Sequence, residues 1–167
     1  MSEQKENMYT AAEDYVKNAL SGEKLKNALD FIAYLKESGR TCDEPNPHPH
    51  FAYMGMWSCL IIASKDKKDP LGFYFVCMWP GEHDVLECDS FPVEESVKEF
   101  ARKNVKKCNK CYGECFNLGG LRRTVFGKEF DGVCCNVFHI NSPAGETLEN
   151  VIKLLELQKH IKSRMTY

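Results

Sequence analysis

The apolar residues follow two spacings, which alternate along the chain. In EKLKNALDFIAYLKESG, Leu25, Ala28, Leu29, Ile32 and Leu35 recur every three or four positions, which lays them on one face of a helix, and Gly39 stands just beyond as a C-terminal cap. Upstream, Thr10 and Glu13 form a capping-box pair ahead of Val16, Ala19 and Leu20, with Gly22 as a stop, so residues 11–20 read as a short helix. TCDEPNPHPH reads as a loop, because each proline removes a backbone donor and pushes the residue before it out of helical geometry. From Phe51 the period shortens. FAYMGMWSCLIIAS and LGFYFVCMW are aromatic and β-branched runs separated by the polar DKKDP turn, the pattern of an antiparallel hairpin. HDVLEC, where Val85 alternates with charged neighbours, adds a third strand.

Helical spacing returns with Val93, Val97, Phe100 and Ala101. Pro92 suits a first helical turn, and Glu94 and Glu95 suit the positive dipole end, so residues 92 to about 106 read as a helix. VCCNVFHI gives a strand over 133–140. Ser142 then caps and Pro143 opens a long helix striped by Leu148, Val151, Ile152, Leu155 and Ile161, reaching roughly Arg164. Strands joined by tight turns cannot be parallel. The order therefore predicts an α+β fold, with a mainly antiparallel sheet of about four strands and helices packed on one face.

The chain's 167 residues suit a single domain over 1–167, with a peripheral N-terminal helix in 1–22 and a cysteine-rich loop, 106–135, inserted before the last strand. Neither a membrane-length apolar run nor an apolar stretch behind a basic start appears; the N-terminus MSEQKENMYTAAED is polar and acidic. The expectation is a soluble, cytoplasmic protein with no membrane partner. Nine cysteines in a reducing compartment, an odd number, do not read as a disulfide framework. Cys59 and Cys77 lie inside apolar runs and read as small core hydrophobes.

The cysteines that carry chemistry are in KKCNKCYGEC, residues 106–115. Cys108 and Cys111 have the C-x2-C spacing that lets one tight turn aim two sulfurs at one point; Gly113 eases that turn, and Cys115 supplies a third ligand. The fourth comes from the Cys134–Cys135 pair. Neighbours on a strand point to opposite faces, and Cys135 shares its face with Val133 and Val137, so Cys134 is the expected ligand, with Cys135 and His139 in reserve. Four thiolates fit a structural zinc. They also fit an iron–sulfur cluster, and three clustered thiols could instead cycle in redox chemistry, although a helix C-terminus ahead of Cys108 would disfavour its thiolate.

Net charge is only −2, yet residues 98–128 hold nine basic side chains against Glu99 and Glu114. Lys103, Lys106, Lys107, Lys110, Arg122 and Arg123 are the candidate anion-binding residues, for phosphates of nucleic acid or of another phosphorylated partner; balancing four thiolates is the plainer explanation of the same charge. Tyr53, Trp57, Tyr74 and Trp79 could offer a flat small molecule an aromatic sheet face, or pack as core. An aromatic edge strand also makes a second copy of the chain a candidate partner. His48 and His50, and His83 with Asp84 and Glu87, read as solvated side chains. The chain has no GxSxG, GxxxxGK[ST], HExxH or Rossmann glycine triplet, and nothing in it names an enzyme.

With the C-x2-C loop, FGKEF at Phe126 to Phe130, Cys134 after three intervening residues and the NSPAGETLE helix start, the stretch from Leu25 to Met165 resembles a group of small, uncharacterised bacterial proteins. The resemblance implies no reaction and adds no catalytic residue. The function expected is a non-enzymatic cytoplasmic binding or sensor module with a structural zinc site.

Overall fold

Four helices and seven strands are formed by the residues that the computed structural model describes, namely 3–43, 48–63, 74–77, 92–108 and 120–164. The fold is α+β, and the β1–β2, β2–β3, β5–β7 and β6–β7 pairs are all antiparallel. Contacts divide the chain into two compact units, Met1–Val76 with Ile140–Leu148, and Cys77–His139 with Glu149–Tyr167.

In the first unit α1 (Glu3–Ala19) and α2 (Gly22–Glu37) pack together and against β1 (Thr41–Cys42). The sheet continues in the order β1-β2-β3-β4 through β2 (His50–Tyr53), β3 (Met56–Ile62) and β4 (Tyr74–Cys77). Helix α1 is two turns longer than its sequence signals suggest. Tyr9, Ala12, Val16 and Leu20 are buried at helical spacing, and the Tyr9 hydroxyl donates to the Arg40 carbonyl, so packing extends the helix upstream through its polar N-terminal turns. Thr10 is therefore no cap. Its Oγ1 donates to the Glu6 carbonyl at 3.1 Å, the back-bond of a threonine in mid-helix. Gly22, expected as a stop, is the first residue of α2, with φ +60°.

The end of α2 matches its pattern. Gly39 takes φ +81°, its N–H donates to the Lys36 carbonyl and the Arg40 N–H to the Leu35 carbonyl, both at 3.1 Å, which closes the helix in a Schellman motif. Ala28, Phe31, Ile32 and Leu35 are buried beneath it.

The apolar run 51–64 is not one strand. Met54 and Gly55 take φ +49° and +74°, and Tyr53 pairs with Met56, so a two-residue primed turn splits the run into β2 and β3. Thr41 and Cys42, expected in a loop, pair with Ala52 and Phe51. The third strand expected over HDVLEC lies outside the described residues.

The second unit is built on α3 (Glu95–Lys103), β5 (Val105–Lys107), β6 (Leu121–Val125), β7 (Lys128–Asn141) as far as His139, and the long α4 (Glu146–Arg164) from Glu149 on. Helix α3 stops short of the expected residue 106. Asn104 ends it by turning its Nδ2 back to the Phe100 carbonyl at 2.8 Å and its N–H to the Ala101 carbonyl, and Val105–Lys107 then joins β7 as a strand. Cys108 consequently follows a strand rather than a helix end, and the dipole argument against its thiolate does not hold. Pro92 precedes the helix, whose N-cap position is Glu94.

The strand expected over 133–140 is the later part of β7, and β6 was not anticipated at all. Phe126 and Gly127 reverse the chain between them. Likewise α4 begins at Glu146 instead of Pro143, and Ser142, at φ +41°, lies four residues before that start. Val151, Leu154, Leu155, Leu157 and Ile161 form its buried stripe, and Lys153 Nζ reaches Glu94 at 2.7 Å.

Candidate functional site

Two strands meet β7 at the same residue. Lys107 of β5 and Leu121 of β6 both pair with Val133, so there β7 has a neighbour on each edge. One residue earlier, the Gly132 carbonyl accepts the Cys108 N–H at 2.7 Å. On the other edge Gly120, at φ +82°, lies so close that a Cβ on it would stand 2.4 Å from the Gly132 carbonyl carbon. Cys108 and Gly120, the described residues that flank 109–119, thus both approach the same residue, Gly132.

Gly132 itself takes φ +69°; the β6–β7 register shifts across it, between Phe130 and Val133, and the β5–β7 register shifts just beyond it, between Val133 and Phe138. Such bulges bend a strand and re-aim the side chains around them. Cys134 comes two residues after Gly132 and is 1% exposed, while Cys108 is half-buried. Two of the four expected metal ligands therefore lie near this irregular stretch, Cys134 on β7 and Cys108 just past the end of β5. Cys111, Cys115 and Lys110 lie outside the described residues, and so does the side chain of Cys135. Among the described residues no three His, Cys, Asp or Glu side chains converge on one point.

His139, the reserve ligand, stands at the far end of β5 from Cys108: its N–H meets the Asn104 carbonyl at 3.4 Å. Burial, with a smaller contribution from the Lys106 charge, pushes its pKa down to about 4, so the imidazole is neutral at physiological pH. Cys42 and Cys59 are buried in the first unit. Burial first, and then Asp43, pushes the Cys42 thiol up to about 12, which leaves it no useful thiolate population near neutrality.

The expected anion-binding residues that are described differ in their settings. Lys106 and Lys107 are neighbours on β5 and point to opposite faces. Arg122 is exposed and held by Asp131 at 2.9 Å, whereas Arg123 is half-buried and Lys103 is exposed at the end of α3. Of the aromatic set, Tyr53 is half-buried at the end of β2, its ring 5.9 Å from the guanidinium of the buried Arg40, which also stands 5.7 Å from Tyr34. That ring already serves the interior. Trp57 lies in β3 opposite Ala52, Tyr74 begins β4, and their side chains, like the whole of Trp79, are outside the described residues.

Sequence reasoning also missed a half-buried polar hub. The Tyr15 hydroxyl sits 2.8 Å from His48 Nδ1 and accepts the Ala63 N–H at 3.1 Å, tying α1 to segments more than thirty residues away. Burial, and next the neighbouring His50, lowers the His48 pKa. No local pattern announces such a contact.

No described helix is long and apolar enough to cross a membrane. Comparison with protein-family models, with curated proteins and with solved structures finds no match for the chain, so its site is read from geometry alone.

Proposed function

We propose that the protein is a non-enzymatic cytoplasmic binding module whose cysteine segment is braced by a zinc ion on Cys108, Cys111, Cys115 and Cys134. The observation that carries this reading is the fixing of Cys108 and Gly120 on either side of Gly132, two residues before Cys134. A segment tethered at both ends beside a buried thiol has already lost part of the entropy that closing it around an ion would cost. Coordination then contributes directly to folding, as in other structural zinc sites. Lys106 and Lys107, immediately before Cys108, offset the negative charge of a thiolate set.

The test is elemental analysis of untagged protein purified without oxygen, in the native sequence and in Cys108→Ser, Cys134→Ser and Cys42→Ala. Zinc in about equimolar amount, lost from the first two variants and kept in the third, is the expected result. Iron with sulfide would replace the structural zinc by a cluster, and metal-free protein would refute both.

A further inference from the structure

The second unit holds an open groove of about 870 Å³. Its walls are the last turns of α3, with Glu99, Arg102 and Lys103, and the β6–β7 turn, with Phe126, Gly127 and Lys128. That turn is unusual. Val125 pairs with Lys128, leaving Phe126 and Gly127 as a two-residue loop with φ +47° and +73°. Asparagine or aspartate normally fills the first of these positions, because a Cβ there crowds the backbone at a cost of roughly 1–2 kcal/mol.

Two contacts hold the strained residue. Its ring is buried at 4% exposure, and Arg102 Nη2 donates to its carbonyl at 2.5 Å. Arg102 is itself fixed by Glu95, 2.7 Å from Nη1. The guanidinium thus serves as a strut between helix and turn, setting the width of the groove. Strain maintained in this way concentrates at binding sites, where a fixed wall saves a ligand the cost of ordering it.

Two charges on this frame remain to be used. Lys103 on one wall and Lys128 on the other are exposed and form no ion pair among the described residues. The Lys128 ammonium is steadied 5.5 Å above the Phe130 ring. Glu99, one turn before Lys103, also lines the groove and repels a weakly charged anion. A ligand must therefore carry enough negative charge to engage both ammonium groups against that carboxylate, which acetate or chloride does not and a phosphate group does. The volume is in the range of small-molecule sites, about 300–1,000 Å³. The geometry points to a site for a small phosphorylated molecule, its phosphate held between Lys103 and Lys128 and its remainder lying along Phe126 and Gly127.

The experiment titrates the full-length protein with inorganic pyrophosphate and follows backbone amide shifts. Saturable changes centred on residues 99–103 and 125–128 are expected. Lys103→Ala with Lys128→Ala should weaken binding about tenfold or more, one lost ion pair of ordinary strength on each wall, while Lys106→Ala with Lys107→Ala leaves it intact. Both lysines of the first pair are exposed, so the melting temperature should hold and report that the fold is unchanged. A single-stranded oligonucleotide is titrated in parallel. Binding that depends on Lys103 and Lys128 but saturates far more weakly than pyrophosphate supports the small-molecule source. No binding of either ligand, shifts centred elsewhere, equal losses in the two double variants, or an oligonucleotide that binds more tightly would overturn the proposal. Zinc analysis on the same samples keeps the two readings apart, since metal-free protein that binds pyrophosphate fails only the first, and zinc protein that ignores it fails only the second.

Discussion

The close approach of Gly120 to Gly132 gives the sharpest prediction. In Gly120→Ala the new Cβ would meet only backbone, at 2.4 Å from the Gly132 carbonyl carbon, 2.7 Å from its oxygen and 2.8 Å from its Cα. None of these atoms belongs to a side chain that can swing aside. Ordinary contact begins near 3.4 Å, so either β6 or β7 must move by roughly an ångström, which for an overpacked position costs about 1–3 kcal/mol. A second cost, about 1–2 kcal/mol, comes from holding an L-residue at φ +82°. Gly127→Ala separates the two, because Gly127 shares the positive φ, +73°, but a Cβ there meets nothing within 4 Å.

Urea denaturation followed by circular dichroism should therefore find Gly127→Ala destabilised by about 1–2 kcal/mol and Gly120→Ala by about 2–5 kcal/mol. The difference between them is the clash. Because Gly120 also ends the segment carrying Cys111 and Cys115, its variant should release metal to a chelator faster than Gly127→Ala does. Equal destabilisation in the two alanine variants would mean that the chain does not pass as closely as described, and the pinned segment would lose its main support.

Two further predictions concern polar groups. His139 is kept neutral by burial: the unfolded chain takes up its proton near pH 6.5 and the folded chain only near 4, so this contribution to stability is intact above pH 6.5 and lost as the pH falls from there towards about 4. Solvent screening at this half-buried ring limits the loss to about 1–2 kcal/mol, and His139→Gln should flatten that part of the stability profile; parallel profiles for the two proteins would refute it. Thr10→Ala should change stability by less than about 0.5 kcal/mol, or raise it, since a mid-helix threonine gives way to a better helix former. A loss of about 1 kcal/mol or more, the size of a missing cap, would restore Thr10 to the start of the helix.

How much of this could be read from the sequence depended on whether the deciding interaction was local. Helix α2 and its Gly39 cap were legible because period and cap lie within eighteen consecutive residues and packing agreed with both. The two hairpin turns were not, for a specific reason: a primed turn is recognised by Asn-Gly or Asp-Gly, and here Met54–Gly55 and Phe126–Gly127 fill the same backbone positions with apolar residues. Met54–Gly55 then looked like the middle of a hydrophobic run, and Phe126–Gly127 carried no hairpin reading. The end of α3 was hidden differently, since Val105, Lys106 and Lys107 show no strand pattern and become a strand only because β7 is there to pair with them.

The cysteine site divides along the same line. The C-x2-C spacing marked Cys108 as a candidate and strand alternation marked Cys134, both local signals. What places them near one irregular stretch is a contact between two glycines twelve residues apart, with a backbone hydrogen bond on the opposite edge, and neither leaves a trace in periodicity or composition. The groove carries the argument further. Arg102 was counted as part of a basic segment, yet its charge is engaged by Glu95 and its fork holds a carbonyl, so it builds the wall and binds nothing itself. Lys103 and Lys128 are 25 residues apart and face each other across the groove only because that strut fixes helix and turn. Charge density along a sequence does not separate these roles: Lys103 and Lys128 form no ion pair among the described residues whereas Arg102 is paired with Glu95, and only the folded arrangement tells them apart.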